Sequence, residues 1–100
     1  MHKLKNDKYK RSRGTSQALD ISCKQCGEHV AYYQKDGPGS LKRMYLDRFI
    51  DIQPTGDELR CRACNQLLGH KINYKREDRP AYRLFEGTIN KRKSDQKELP

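Results

Sequence analysis

Two cysteine pairs constrain this chain more than any other feature: "CKQC", with Cys23 and Cys26, and "CRAC", with Cys61 and Cys64. Two residues between cysteines let both sulfurs converge on one ion from a single tight turn. Two such turns complete a closed tetrahedral site, leaving no position for water or substrate. Gly27 follows the first pair, where a left-handed residue suits a knuckle whose backbone amides point at sulfur. Asn65 follows the second pair and tolerates the same conformation. The spacing predicts one structural zinc ion, Zn2+, held by Cys23, Cys26, Cys61 and Cys64. Two rival chemistries are weaker. Disulfides need an oxidising compartment. A thioredoxin-like redox pair needs a helix start within a βαβ unit, and neither pair has one.

The composition asks for such a staple. Only 33% of the 100 residues are hydrophobic, cysteines included, where a typical soluble domain has nearer half. Ordering a chain of this size costs on the order of 100 kcal/mol at about 1.5 kcal/mol per residue. Small scaffolds with thin cores usually add a metal or disulfides. No apolar run is long enough to span a membrane, and the basic N-terminus lacks the apolar stretch of a secretory signal. The expectation is an intracellular protein without a membrane partner, cytoplasmic or, in a eukaryote, nuclear.

The net charge of +9 is unevenly spread: residues 1–20 hold six Lys/Arg against two acids, and residues 91–100 hold four against two. Residues 1–19 and 91–100 therefore read as disordered basic arms. Residues 20–90 read as one four-cysteine β domain. Within it, "HVAYYQK" reads as a strand and "DGPG" as a turn. "RMYLDRFIDI" places Met44, Leu46, Ile50 and Ile52 at strand spacing, broken by Arg48, with a short helix through "LKRMYLDRF" as the rival reading. In "LLGHKINYK", Leu68, His70, Ile72 and Tyr74 alternate with Lys71, Asn73 and Lys75. "KREDRP" is a charged loop, and "AYRLFEGTI" supplies one or two closing strands. The fold class is mostly β, antiparallel and zinc-stabilised.

Catalytic signatures are missing. All four cysteines are committed to metal, and no nucleophile elbow, P-loop or His-Glu-x-x-His motif occurs. His29 and His70 stand three and six residues beyond their nearest cysteines and read as surface or supporting groups. The acid pairs Asp57/Glu58 and Glu77/Asp78 read as solvated turn charge. The chain is not expected to be an enzyme, and no small-molecule substrate is evident.

"CRACNQLLGHKINY", followed after a charged loop by "LFEGTI", resembles the C-terminal half of Yippee-like proteins. Leu68 and Gly69 fall on that family's Leu-Gly, and Glu86 and Gly87 on its Glu-Gly. Arg43, Tyr45 and Leu46 are similar to its Arg-Ala-Tyr-Leu segment. The resemblance implies a β-tent, two antiparallel sheets meeting at an angle and pinned at one end by a four-cysteine zinc, over about residues 21–90. A plain zinc ribbon is the structural alternative. His70 stands where the family has Trp, so a Trp-lined cage of the cereblon kind is absent. The related methionine sulfoxide reductases need a further cysteine, and none exists here.

For function, the leading expectation is nucleic-acid binding, with RNA favoured over DNA. Basic arms give salt-sensitive phosphate affinity. Arg60, Arg62, Lys71, Lys75 and Arg76 lie around the second cysteine pair, and Tyr32 and Tyr33 are candidate stacking platforms. The alternative is a protein-interaction adaptor of the Yippee-like kind, with a protein partner and no nucleic-acid role. Clustered charge beside an exposed tyrosine favours the first reading. Scattered charge beside a concave apolar patch favours the second.

Overall fold

The computed structural model describes residues 4–95 and residue 99. A short helix, α1 (Lys8–Arg13), is followed by seven strands: β1 (Ser16–Cys23), β2 (His29–Asp36), β3 (Arg43–Tyr45), β4 (Glu58–Arg60), β5 (Leu67–Tyr74), β6 (Arg79–Leu84) and β7 (Ile89–Lys93). They build two antiparallel sheets, ordered β2-β1-β7 and β3-β6-β5-β4. Among the described residues no helix is long and apolar enough to cross a membrane.

The sheets share one core. The first contributes Leu19, Ile21, Val30, Ala31 and Tyr33, the second Met44, Leu59, Leu68 and Tyr82. Phe49 links them, its ring edge-on to Tyr33 at 5.5 Å and to Tyr82 at 6.3 Å between centroids. Edge-to-face pairs of this kind add about 0.5–1.5 kcal/mol beyond the area they bury. The Tyr33 hydroxyl, inside the core, accepts a hydrogen bond from Tyr45 N–H at 2.7 Å. Strand β5 approaches β6 so closely that a Cβ on Gly69 would lie 2.4 Å from the Arg83 carbonyl oxygen. Only glycine fits there.

The mostly β, antiparallel class read from the sequence is what the chain adopts. "HVAYYQK" lies within β2, and the closing segment supplies most of β6 and the first residue of β7. Three expectations are corrected. The strand expected over Met44–Ile52 ends at Tyr45 and passes into a 3-10 turn at Leu46–Arg48. That turn buries Arg48, which makes ion pairs with Asp7 and Asp36. Leu68, expected on one face with His70, does not share it. A bulge opposite Arg60 breaks the alternation, leaving Leu68 fully buried and His70 exposed.

The third correction concerns the arms. Residues 8–13 and 16–19, expected to be disordered, form α1 and the first half of β1. Helix α1 buries no residue, so its hydrophobic pattern carries no signal. Polar contacts hold it instead. Asp7 caps its N-terminus and pairs with Arg48, and Arg79 lies between the Tyr9 and Tyr45 rings, 3.7 Å from each. At the other end, residues 91–93 belong to β7 and Leu99 is buried. Residues 1–3 of the expected N-terminal arm, and 96–98 and 100 of the expected tail, lie outside the described residues.

Candidate metal centre

The four cysteines meet at one end of both sheets. Cys23 closes β1 and Cys26 sits in the turn that follows; Cys61 follows β4 and Cys64 precedes β5. The two knuckles repeat one hydrogen-bond pattern. Gly27 N–H donates to Cys23 carbonyl at 2.8 Å, as Asn65 N–H does to Cys61 carbonyl at 2.8 Å. Cys23 N–H donates to Glu28 carbonyl at 2.9 Å, and Cys61 N–H to Gln66 carbonyl at 2.9 Å. Gly27 and Asn65 both adopt positive φ, +80° and +65°, as the sequence led us to expect. Beyond each knuckle a bulge places one apolar residue, Val30 or Leu68, in the core.

The four sulfurs lie within 4.8 Å of one another. Across the knuckles, Cys23 and Cys64 approach to 3.6 Å, and so do Cys26 and Cys61. A tetrahedron with metal–sulfur bonds of about 2.3 Å has edges of about 3.8 Å, so the set fits a single four-coordinate ion. Cys23 and Cys61 are buried, while Cys26 is exposed and Cys64 half-buried. Burial pushes the Cys61 thiol up, but N–H groups of Cys64 and Ala63 at its sulfur outweigh that and bring it down to about 7. Cys26 receives an N–H from Glu28, yet burial and the three neighbouring sulfurs push it up to about 12. Four sulfurs this close can share one cation, which would hold all of them as thiolates. The described residues thus form a metal-binding cluster with all four positions filled by protein.

His29 does not join it. Its Nδ1 lies 2.7 Å from Asp20 and its Nε2 2.9 Å from Asp51, so both ring nitrogens are engaged by carboxylates. His70 packs edge-on against Phe85, centroids 5.6 Å apart.

The residues singled out as a nucleic-acid surface do not assemble into one. Arg60 and Arg62 are exposed beside the second knuckle, and Arg60 is engaged with Glu58 and the Asn65 carbonyl. Lys75 and Arg76 sit in the turn at the far end of β5, roughly 25 Å away at about 3.3 Å per residue. Lys71 is exposed between these ends. Tyr33 is 2% exposed and cannot stack on a base; its ring fills the core. Tyr32, half-buried, belongs to the other sheet and packs on His29, centroids 4.4 Å apart.

The register brings together a different set. Arg43 on β3 lies directly opposite Arg83 on β6, and Arg83 directly opposite His70 on β5. Residues directly opposite share a sheet face, and like charges so placed repel. Arg43 also stacks on the Tyr74 ring at 4.1 Å. At the edge of this ladder opens a cleft of about 810 Å³, lined by Leu41, Lys42, His70, Arg83, Phe85 and Lys91 among others. Phe85 is the exposed large hydrophobic residue of the described chain, at 39%. None of Lys42, Arg43, Arg83 or Lys91 forms an ion pair among the described residues. The sequence signal for this set was faint: the alternation of Arg83 with Leu84 and Phe85 in a closing strand.

In comparisons with known proteins, no family model, curated protein or solved structure matches the chain.

Proposed function

We propose that this chain is a non-catalytic domain, held together by one structural zinc ion, that binds nucleic acid, with single-stranded RNA favoured. Zinc is the ion best suited to a closed, all-cysteine tetrahedral set, with iron the chemical competitor for four thiolates. The observation that carries the binding reading is the cross-strand ladder Arg43–Arg83–His70 beside Phe85. Arg43 and Arg83, like charges held opposite one another, lower stability. An anionic ligand relieves that repulsion. The ladder and the rim lysines Lys42 and Lys91 supply phosphate contacts, while Phe85 supplies a face on which an unstacked base can lie. Recognition of splayed single-stranded bases is the mode typical of RNA.

A second reading has its own support. Leu41, Leu84 and Ile89 give the same cleft an apolar lining, which suits an extended peptide and the adaptor role that the Yippee-like resemblance implies.

Fluorescence anisotropy of a short single-stranded RNA across salt concentrations separates the two. Phe85→Ala is expected to weaken binding tenfold or more, about the contribution of one stacked base. Arg83→Gln is expected to weaken it and reduce the salt slope by about one. Arg60→Gln and Arg62→Gln leave it nearly unchanged. If Phe85→Ala and Arg83→Gln bind as the parent does, or if the folded, metal-loaded chain shows no RNA affinity, the adaptor reading takes its place.

A further inference from the structure

Lys35 is an unusual lysine. It lies on β2 and is 7% exposed, and its Nζ donates one hydrogen bond, to the Gly37 carbonyl at 2.6 Å. An ammonium has three protons to place, and Lys35 forms no ion pair among the described residues. Its sequence neighbour Asp36 is occupied elsewhere. One Asp36 oxygen accepts from Ser16 and Gln34, the other from Arg48. Asp36 lines the same cavity as Lys35, but its oxygens are engaged by Ser16, Gln34 and Arg48 and form no ion pair with Lys35 Nζ.

The Lys35 side chain borders a cavity of about 320 Å³ whose other basic lining residues are Arg13, Lys42, Arg43 and Arg48. Arg48 is neutralised by Asp7 and Asp36, and Arg13 by Glu77. Among the described residues, Lys35, Lys42 and Arg43 form no ion pair with a carboxylate. Burial, with the charges of Lys91 and Arg13 behind it, outweighs the opposing pull of Asp36 and holds the Lys35 pKa below the ordinary lysine value. A buried cation with more like than opposite charge around it is costly unless an anion completes it.

We propose that this cavity is a phosphate-binding site, with Lys35 as its buried anchor and Lys42 and Arg43 closing on the same group from the rim. The phosphate is either free orthophosphate or the terminal phosphate of a nucleic-acid strand. The second source rests on the function proposed above, because this cavity and the Phe85 cleft share Ser40, Leu41 and Lys42. The first does not.

The test uses the full metal-loaded chain. Thermal unfolding is followed with orthophosphate and with chloride at matched ionic strength, for the parent, Lys35→Met and the exposed control Lys71→Met. Phosphate is expected to raise the midpoint by several degrees beyond chloride in the parent and in Lys71→Met, and to do nothing in Lys35→Met. Without phosphate, Lys35→Met should be at least as stable as the parent, since it removes a charge that lacks a partner. A Lys35 serving only to tie down Gly37 would make it less stable. A phosphate effect no larger than chloride's, or one that survives Lys35→Met, overturns the site. Should Lys35→Met fail to fold, the side-chain carbon resonance of labelled Lys35 in the parent replaces it: movement with phosphate is expected, and a static signal refutes the proposal. Matched RNAs ending in a 5′-phosphate or a 5′-hydroxyl then identify the source. Roughly tenfold tighter binding of the phosphorylated form, as for one added charge-assisted hydrogen bond, assigns the strand end. Equal RNA binding beside an intact orthophosphate effect assigns the free ion. A phosphate effect with no RNA binding at all supports this site and sinks the nucleic-acid function alone.

Discussion

Asp7 and Arg48, separated by 41 positions in the chain, are joined by a two-pronged ion pair: Nη1 to Oδ2 at 3.0 Å and Nη2 to Oδ1 at 2.5 Å. The same Asp7 Oδ1 accepts from the N–H groups of Tyr9 and Lys10. One carboxylate therefore caps α1 and docks it onto the domain. On the other side of the guanidinium, Nε donates to Asp36 at 2.9 Å. The Arg48 side chain is 1% exposed and that of Asp36 4%, whereas Asp7 keeps 41%.

That asymmetry sets the expected effects. Arg48→Met strands the buried Asp36 charge and is expected to cost about 3–5 kcal/mol. Asp7→Asn, at a largely exposed position, is expected to cost about 1 kcal/mol or less while releasing α1 to rapid amide exchange. The Arg48 hydrogen bond holds the Asp7 carboxyl far below its usual range. Burial alone would raise Asp36, but hydrogen bonds from Ser16, Gln34 and Arg48 win and lower it. Depressed folded-state values mean stability that is present above the unfolded value near 3.8 and lost as pH falls through the folded ones. Denaturant unfolding of the parent should weaken below about pH 4. Arg48→Met should flatten that acid limb, and an unchanged limb would refute the assignment.

His29 gives the opposite sign. Burial acts to lower its pKa, but hydrogen bonds to Asp51 and Asp20 prevail and raise it above 6.5. The groups around the ring are Asp20 on β1, Asp51 on the loop after the 3-10 turn and Tyr32 on its own strand, with Arg92 of β7 also bound to Asp20. A raised folded value means stabilisation that is full below 6.5 and lost as pH rises through the folded value. The side chain is 35% exposed, so solvent screening keeps the effect below about 1 kcal/mol. His29→Gln should abolish the stability change across neutral pH. Titration of the His29 ring by NMR checks the direction, and a midpoint below 6.5 would contradict it.

Removal of the metal should be far more damaging. Structural zinc sites contribute on the order of 10–16 kcal/mol in small metal-dependent domains. Chelation is expected to abolish the near-ultraviolet circular dichroism of the core tyrosines, because Val30 and Leu68 reach the core directly beyond the two knuckles. Native mass spectrometry should find one zinc per chain, and Cys61→Ser should lose both metal and fold. A spectrum unchanged by chelation would sink the structural role.

The metal cluster was legible because its information is local. Ligand spacing within each turn, and a left-handed residue at Gly27 and Asn65, are written within a few adjacent positions. Strands β2, β5 and β6 were legible for a similar reason, since alternation and turn residues act over short windows. Arg48 was visible as the break in a strand pattern, but not as the residue that two distant aspartates clamp. Helix α1 stayed hidden because cation–π and ion-pair contacts hold it, and these leave no hydrophobic period.

By itself the sequence determined that this chain is a small antiparallel β domain with four cysteines arranged for one metal. Only the tertiary structure decided which charges act together. Arg43 and Arg83 meet through the pairing of β3 and β6, and Lys35 forms no pair with Asp36 because Ser16, Gln34 and Arg48 already hold that carboxylate. Like-charge repulsion and burial depend on neighbours supplied by distant strands, and no local window of sequence contains them.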